Sequence, residues 1–96
     1  MPLETHPYDS ARYLDSDEAI AAYMEAAFET EDPAFIVHAF AIAARAKGMT
    51  QIAKDAGLSR ESLYRALGEN GNPEFATVVK VMRALGLRLS AEVGAA

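Results

Sequence analysis

Residues 49–67 read MTQIAKDAGLSRESLYRAL, and the spacing of Ala53, Gly57 and Leu63 within them decides the fold. Ala53 is small where a larger side chain would hold two crossing helices apart. Four residues on, Gly57 supplies the left-handed backbone that a chain needs on leaving a helix, a conformation that costs glycine least. Leu58 then turns back toward the core. The hydroxyl of Ser59 can accept a bond from an exposed backbone N–H of the following turn. Leu63 and Leu67 fall one helical turn apart on the buried side of the second helix. Two short helices, about Met49 to Ala56 and Arg60 to Leu67, joined by a tight turn make a helix-turn-helix.

Outward from this motif the chain reads as helices. Upstream, Ala34 to Lys47 is apolar almost all round, with only His38 and Arg45 making a polar stripe. Such a helix is buried on two sides. It therefore belongs between the motif and a further helix, about Ser16 to Glu29, which Asp15 and Glu18 open as a capping pair. In that first helix Ile20, Tyr23, Met24, Ala27 and Phe28 share one face, and Glu18, Glu25 and Glu29 share the other. Asp32 and Pro33 end it and start the next, because proline suits a first helical position. Downstream, Gly68 ends the motif and Asn70 to Pro73 form a loop. A fifth helix, about Glu74 to Leu85, turns Phe75, Val78, Val79, Met82 and Leu85 inward and Lys80 and Arg83 outward, and Gly86 caps it.

The two ends differ. Residues 1–14, with Pro2 and Pro7, show no period and read as an extended arm that Tyr8, Tyr13 and Leu14 could anchor. Residues 87–96 begin with strict alternation, Leu87, Leu89, Ala91 and Val93 against Arg88, Ser90 and Glu92, which is the period of a strand. A lone strand has no ladder to join in a helical domain, so the segment is either a strand that pairs with another chain or a frayed tail. The expected organisation is an arm over 1–14, one helical domain over 15–86 and a tail or pairing strand over 87–96. The fold class is all-α, a five-helix, lambda-repressor-like helix-turn-helix domain with an acidic N-terminal helix.

Composition narrows the function. In 96 residues, 51% of them hydrophobic, there is room for one core but not for two independent domains. The absence of cysteine removes disulfides and thiolate metal sites and agrees with a reducing cytosol. No signal peptide is expected from the acidic amino terminus. The apolar-rich run Ala34 to Ala46, broken by His38 and Arg45, falls short of the roughly 20 residues a bilayer needs. His6 and His38 are the only histidines, and neither has the spacing of a metal ligand or of a base beside a nucleophile. The sequence offers no glycine-rich phosphate loop after a strand. No catalytic residue, metal or cofactor is expected, and the chain does not read as an enzyme.

A net charge of −5 argues against a nucleic-acid surface until it is divided along the chain. Residues 1–32 hold Glu4, Asp9, Asp15, Asp17, Glu18, Glu25, Glu29, Glu31 and Asp32 against Arg12 alone, a charge of −8. Residues 33–89 set Arg45, Lys47, Lys54, Arg60, Arg65, Lys80, Arg83 and Arg88 against Asp55, Glu61, Glu69 and Glu74, a charge of +4. Two surfaces of opposite sign suggest two kinds of partner.

With Leu63 inward, Glu61 and Arg65 lie opposite the core and Ser62 and Tyr64 flank them. Arginine can donate two bonds to guanine and glutamate can accept from the cytosine amino group, which makes Arg65 the first choice for reading a base in double-stranded DNA. Glu61 can equally pair with Arg65 one turn away, and the two roles are compatible. Arg60, at the mouth of the helix, suits a phosphate; Ser59 serves as a cap; Lys54, Asn72 and Lys80 are further phosphate candidates. A surface this modestly basic favours a two-fold homodimer, which doubles the phosphate contacts.

The stretches YLDSDEAIAAYMEAAFETEDPAF, ARAKGMTQIAKDAGLSRESLYRAL and GNPEFATVVKVMRALGLRL, spanning about Tyr13 to Glu92, resemble the HigA-like addiction-module antidote proteins, or antitoxins, of the Xre-type helix-turn-helix superfamily. The resemblance implies a cytoplasmic protein that neutralises a small toxin of the RelE/ParE superfamily and represses its own operon, as a homodimer or a toxin–antitoxin hetero-oligomer. It assigns DNA contact to the exposed face of residues 60–65 and toxin contact to the amino-terminal region. Many Xre-type domains open the first motif helix with glutamine. This chain has Met49 there, so no phosphate role passes to Gln51. Toxins of this class need basic surfaces to engage polyanions, and an acidic helix can attract and cover such a surface. Glu18, Glu25 and Glu29 are the candidates, with Tyr8, Tyr13 and Leu14 as apolar anchors. Two alternatives remain. A stand-alone Xre-type repressor would use the same recognition helix without a toxin, and a protein-interaction module would have lost DNA binding.

Overall fold

The computed structural model describes residues 13–94. Tyr8, His6 and most of the expected arm lie outside the described residues. Within them are five helices: α1 (Asp17–Glu29), α2 (Pro33–Lys47), α3 (Met49–Ala56), α4 (Arg60–Ala66) and α5 (Phe75–Ala84). The described residues are otherwise turns and irregular chain, with no strand.

Each helix begins where a side chain or a proline can replace the missing backbone partner. The cap of α1 is Ser16 rather than the expected Asp15 and Glu18 pair: its Oγ accepts from Ala19 N–H at 3.1 Å, from an extended backbone. Asp15 lies one residue too early, because the cap must immediately precede the first helical residue. Asp32 caps α2, accepting from Ala34 and Phe35 N–H at 3.1 and 3.4 Å, with Pro33 in the first helical position. The turn between α1 and α2 passes through Glu31 at φ 55°, the only non-glycine with positive φ among the described residues. Thr30 braces that turn, donating to Ala27 C=O at 2.6 Å and accepting from Asp32 N–H at 3.2 Å.

Helix α2 runs through the middle of the molecule, packed against α1 on one side and α3 on the other. Its residues Ala39, Phe40, Ala41, Ile42, Ala43 and Ala44 are consecutive and all buried, while His38 and Arg45 are exposed, as expected for a helix covered on two sides. The run of alanines lets neighbouring helices approach closely around Phe40. Ile20 and Met24 of α1, Ile52 of α3, Leu63 of α4, and Val81 and Leu85 of the last helix and its cap complete the fully buried core.

Helices α3 and α5 end in the same way. Leu58 N–H donates to Ala53 C=O at 2.8 Å and Gly57 N–H to Lys54 C=O at 3.1 Å; Leu87 N–H donates to Met82 C=O at 2.8 Å and Gly86 N–H to Arg83 C=O at 3.0 Å. This is the paired Schellman bonding that a left-handed residue permits. Gly57 and Gly86 have φ of 73° and 83°, and Leu58 and Leu87 pack back against the core as the motif requires. Across the molecule, Lys47 at the end of α2 pairs with Asp17 Oδ1 at 2.8 Å and reaches Leu85 C=O at 3.5 Å, tying the start of α1 to the end of α5.

Three expectations about packing change. Phe75 is 68% exposed, not inward. It is the first residue of α5, and the stripe that meets the core starts one turn later at Val78. Phe28 is only partly covered, its ring edge-on to Phe40 at 5.9 Å. Leu14 is 8% exposed and belongs to the chain's own core, where the sequence had offered it as an anchor for a partner. Residues 87–94 form neither helix nor strand within the single chain.

Candidate functional site

The turn between α3 and α4 sets the orientation of α4. Ser59 Oγ accepts from Ser62 N–H at 2.9 Å and donates to Ser62 Oγ at 2.9 Å, so both hydroxyls are engaged in the cap. Leu63 is fully buried and fixes the rotation of the helix. Arg60, Glu61, Tyr64 and Arg65 are thereby left on the exposed surface.

These four side chains form two pairs, each one helical turn apart. The Arg60 guanidinium lies over the Tyr64 ring at 5.3 Å and donates to its hydroxyl at 3.0 Å. Arg65 stands 3.7 Å from Glu61, both largely exposed. Neither pair carries much stability in water, where exposed ion pairs contribute about 0–1 kcal/mol. Their effect is on geometry. The Arg60 guanidinium sits against the Tyr64 ring near the amino end of the helix, and Arg65 lies within ion-pair reach of Glu61 one turn away.

The other basic candidates fall elsewhere. Lys54 lies with Lys80 and Arg83 around an open depression of about 560 Å³ between α3 and α5, whose lining includes Asp55 and Gly57 but no residue of α4. Asn72 is exposed in the loop before α5, close in sequence to the exposed ring of Phe75. Gln51 is engaged with Asp55, donating from Nε2 to Oδ1 at 2.8 Å. Sequence reasoning missed the grouping of Arg83 with Lys54 and Lys80, which joins residues almost thirty positions apart, and the exposure of Phe75. The position of Phe75 directly after the helix start was the available signal.

On α1, Glu18, Glu25 and Glu29 are all exposed, and Glu31 and Asp32 extend the acidic surface into the turn. Tyr13 is exposed just before this helix. Tyr23, on the opposite side, packs against the core, and burial pushes its phenol pKa above the ordinary 10.0. It is a packing residue that stays protonated at neutral pH. Among the described residues no group of three His, Cys, Asp or Glu is placed to hold a metal ion, and no helix is long and apolar enough to cross a membrane.

The model of a family described as "Probable addiction module antidote protein" matches residues 4–93. The chain belongs to this family. An antidote is defined by the toxin it counters, so membership implies a toxin partner of some kind and suggests a regulatory role. An uncharacterized protein of Haemophilus influenzae (strain ATCC 51907 / DSM 11121 / KW20 / Rd) is 46% identical over 92 residues, covering 96% of this chain and 95% of that protein. No solved structure matches the chain. The antidote family match spans all five helices, so α1 and the helix-turn-helix both fall within the family's unit.

Proposed function

We propose that this antidote protein is the antitoxin of a type II toxin–antitoxin module of HigA-like, Xre-type character, working in the cytoplasm with two separate surfaces. The acidic face of α1, with Glu18, Glu25 and Glu29, engages a RelE/ParE-superfamily toxin. The outer face of α4 binds the operator of the shared operon. The observation that carries the reading is the arrangement of α4, where complete burial of Leu63 leaves Arg60, Glu61, Tyr64 and Arg65 on the surface behind a capped turn.

Each residue then has a task. Arg65, steadied by Glu61, reads a base edge in the major groove, where a bidentate contact contributes about 1–3 kcal/mol of discrimination. Arg60, held over Tyr64, takes a phosphate, with Asn72 and Lys54 as further backbone contacts. A homodimer on a two-fold operator would present two copies of this face. Toxin and DNA surfaces lie on different helices, so one protomer can hold both partners.

Binding to the operator fragment upstream of the operon, followed by fluorescence anisotropy across a salt series, tests the DNA limb. Affinity should fall steeply with salt, and Arg60→Ala should weaken binding to all sequences and reduce the salt slope by about 1 per protomer. Arg65→Ala should relax base preference at one position of each half-site. A salt-independent affinity would remove the operator from the account.

A further inference from the structure

The loop between α4 and α5, residues 67–74, holds the chain's two asparagines, and their following residues differ in one chemical respect. Asn70 precedes Gly71, whereas Asn72 precedes Pro73. A glycine nitrogen, with no side chain beside it, can reach the preceding carboxamide; a proline nitrogen carries no hydrogen and cannot act in this way. The fold requires that glycine. A Cβ on Gly71 would run into the Ala66 carbonyl oxygen, so the packing of the loop on the end of α4 admits no larger residue. Asn70 itself is exposed, which gives water free access to its carboxamide. Gly71 N–H donates to Gly68 C=O at 2.9 Å, and among the described residues this is the one backbone bond donated from residues 69–73. A surface turn closed by a single bond opens locally at small cost, and opening frees the Gly71 nitrogen.

We propose that Asn70 is a site of spontaneous deamidation, with water as the only reagent. The Gly71 nitrogen gives up its proton and attacks Asn70 Cγ. The N–Cγ bond forms, the Cγ–Nδ2 bond breaks, and Nδ2 leaves as ammonia with the proton. Water then opens the cyclic imide at one of its two carbonyls, leaving aspartate or isoaspartate, with no change of oxidation state. Either product places a new carboxylate two residues from Asn72. Isoaspartate also adds a methylene to the main chain there, which shifts Gly71 from its seat against Ala66. The consequence for function rests on the operator-binding reading: Asn72 is then a phosphate contact, the new charge repels the DNA backbone, and operator affinity declines as the protein ages.

Mass spectrometry of the tryptic fragment 66–80, which contains both asparagines, reads the chemistry on the full chain without DNA. During incubation of the folded protein, exchange of NH2 for OH should accumulate at Asn70 ahead of Asn72. Its rate should rise in proportion to hydroxide, because the attacking nitrogen must be deprotonated. Asn70→Gln, which would have to close a larger ring, should stay intact over the same period. Operator binding by N70D should be about two- to threefold weaker per protomer, the effect of one repulsive charge several ångströms from a phosphate in water. Aged wild type should drift toward N70D while aged N70Q holds its affinity, and circular dichroism should show all of them equally helical, as the position is exposed. An Asn70 that stays intact in the folded chain while the same chain in denaturant is converted would overturn the proposal, because the fold would then shield the nitrogen. So would equal conversion at Asn72. Conversion that leaves operator affinity unchanged would overturn the ageing effect. If fresh wild type binds no operator, the operator reading fails and the loss of affinity with it, while the mass data decide the modification by themselves.

Discussion

Glu31 and Gly57 both occupy left-handed backbone, at φ 55° and 73°, yet only one of them has the residue that conformation favours. A side chain with Cβ pays about 1–2 kcal/mol there, partly offset when glycine is introduced by its extra freedom in the unfolded chain. Glu31→Gly should therefore raise stability by about 0.5–1 kcal/mol, while Gly57→Ala should lower it by about 1 kcal/mol or more. Nothing lies within 4 Å of a Cβ built on Gly57, so the latter cost is conformational and not steric. Thermal melts should show shifts of opposite sign, each of several degrees for a domain of this size. Equal destabilisation by both would contradict this account of the turns. Ala53, Gly57, Ser59 and Leu63 were legible in the sequence because their roles depend on neighbours within one or two turns. The cap of α1 was misplaced by one residue because Asp15 and Ser16 can both accept a backbone N–H, and only the helix start decides between them.

At the level of the helices, the apolar periodicity of α1, α2 and α5 located each element within a residue or two, since burying a stripe and forming a helix are coupled. Periodicity gives an angle around the helix axis but not a height along it. That is why Phe75 was read as buried: its angle matches Val78 and Met82, but it lies at the first turn, beyond the reach of the core. Contacts between distant elements were illegible for a related reason. The Lys47–Asp17 pair spans 30 positions, and the grouping of Lys54 with Lys80 and Arg83 depends on how α3 meets α5. The acidic face of α1 is the element on which toxin capture should depend. Replacing Glu18, Glu25 and Glu29 together with lysine should abolish capture in a pull-down and leave helical content unchanged, because all three are exposed and none is ion-paired among the described residues. Retained capture would move the toxin surface elsewhere.

For the molecule as a whole, α2 is the partition between the acidic helix and the helix-turn-helix. It buries Ala39 to Ala44 between α1 and α3, so the acidic helix and the helix-turn-helix belong to one core while lying on separate elements. The division of charge, −8 over residues 1–32 and +4 over residues 33–89, is a division along the sequence, and the exposed Glu18, Glu25 and Glu29 carry part of it on α1. Opposite fields of this kind steer a basic protein to one side and a polyanion to the other. A toxin partner of some kind, which the family implies, was legible from the sequence as a class through charge and resemblance; its footprint was not, because that depends on a shape this chain does not contain. Neutralisation of a toxin by this chain is measured directly by growth. An adjacent reading frame should encode a small basic protein; cells expressing it should stop growing, and co-expression of this chain should restore growth, while the triple glutamate-to-lysine variant should not. Growth arrest that the wild-type chain fails to relieve, although it is expressed and folded, would contradict the account.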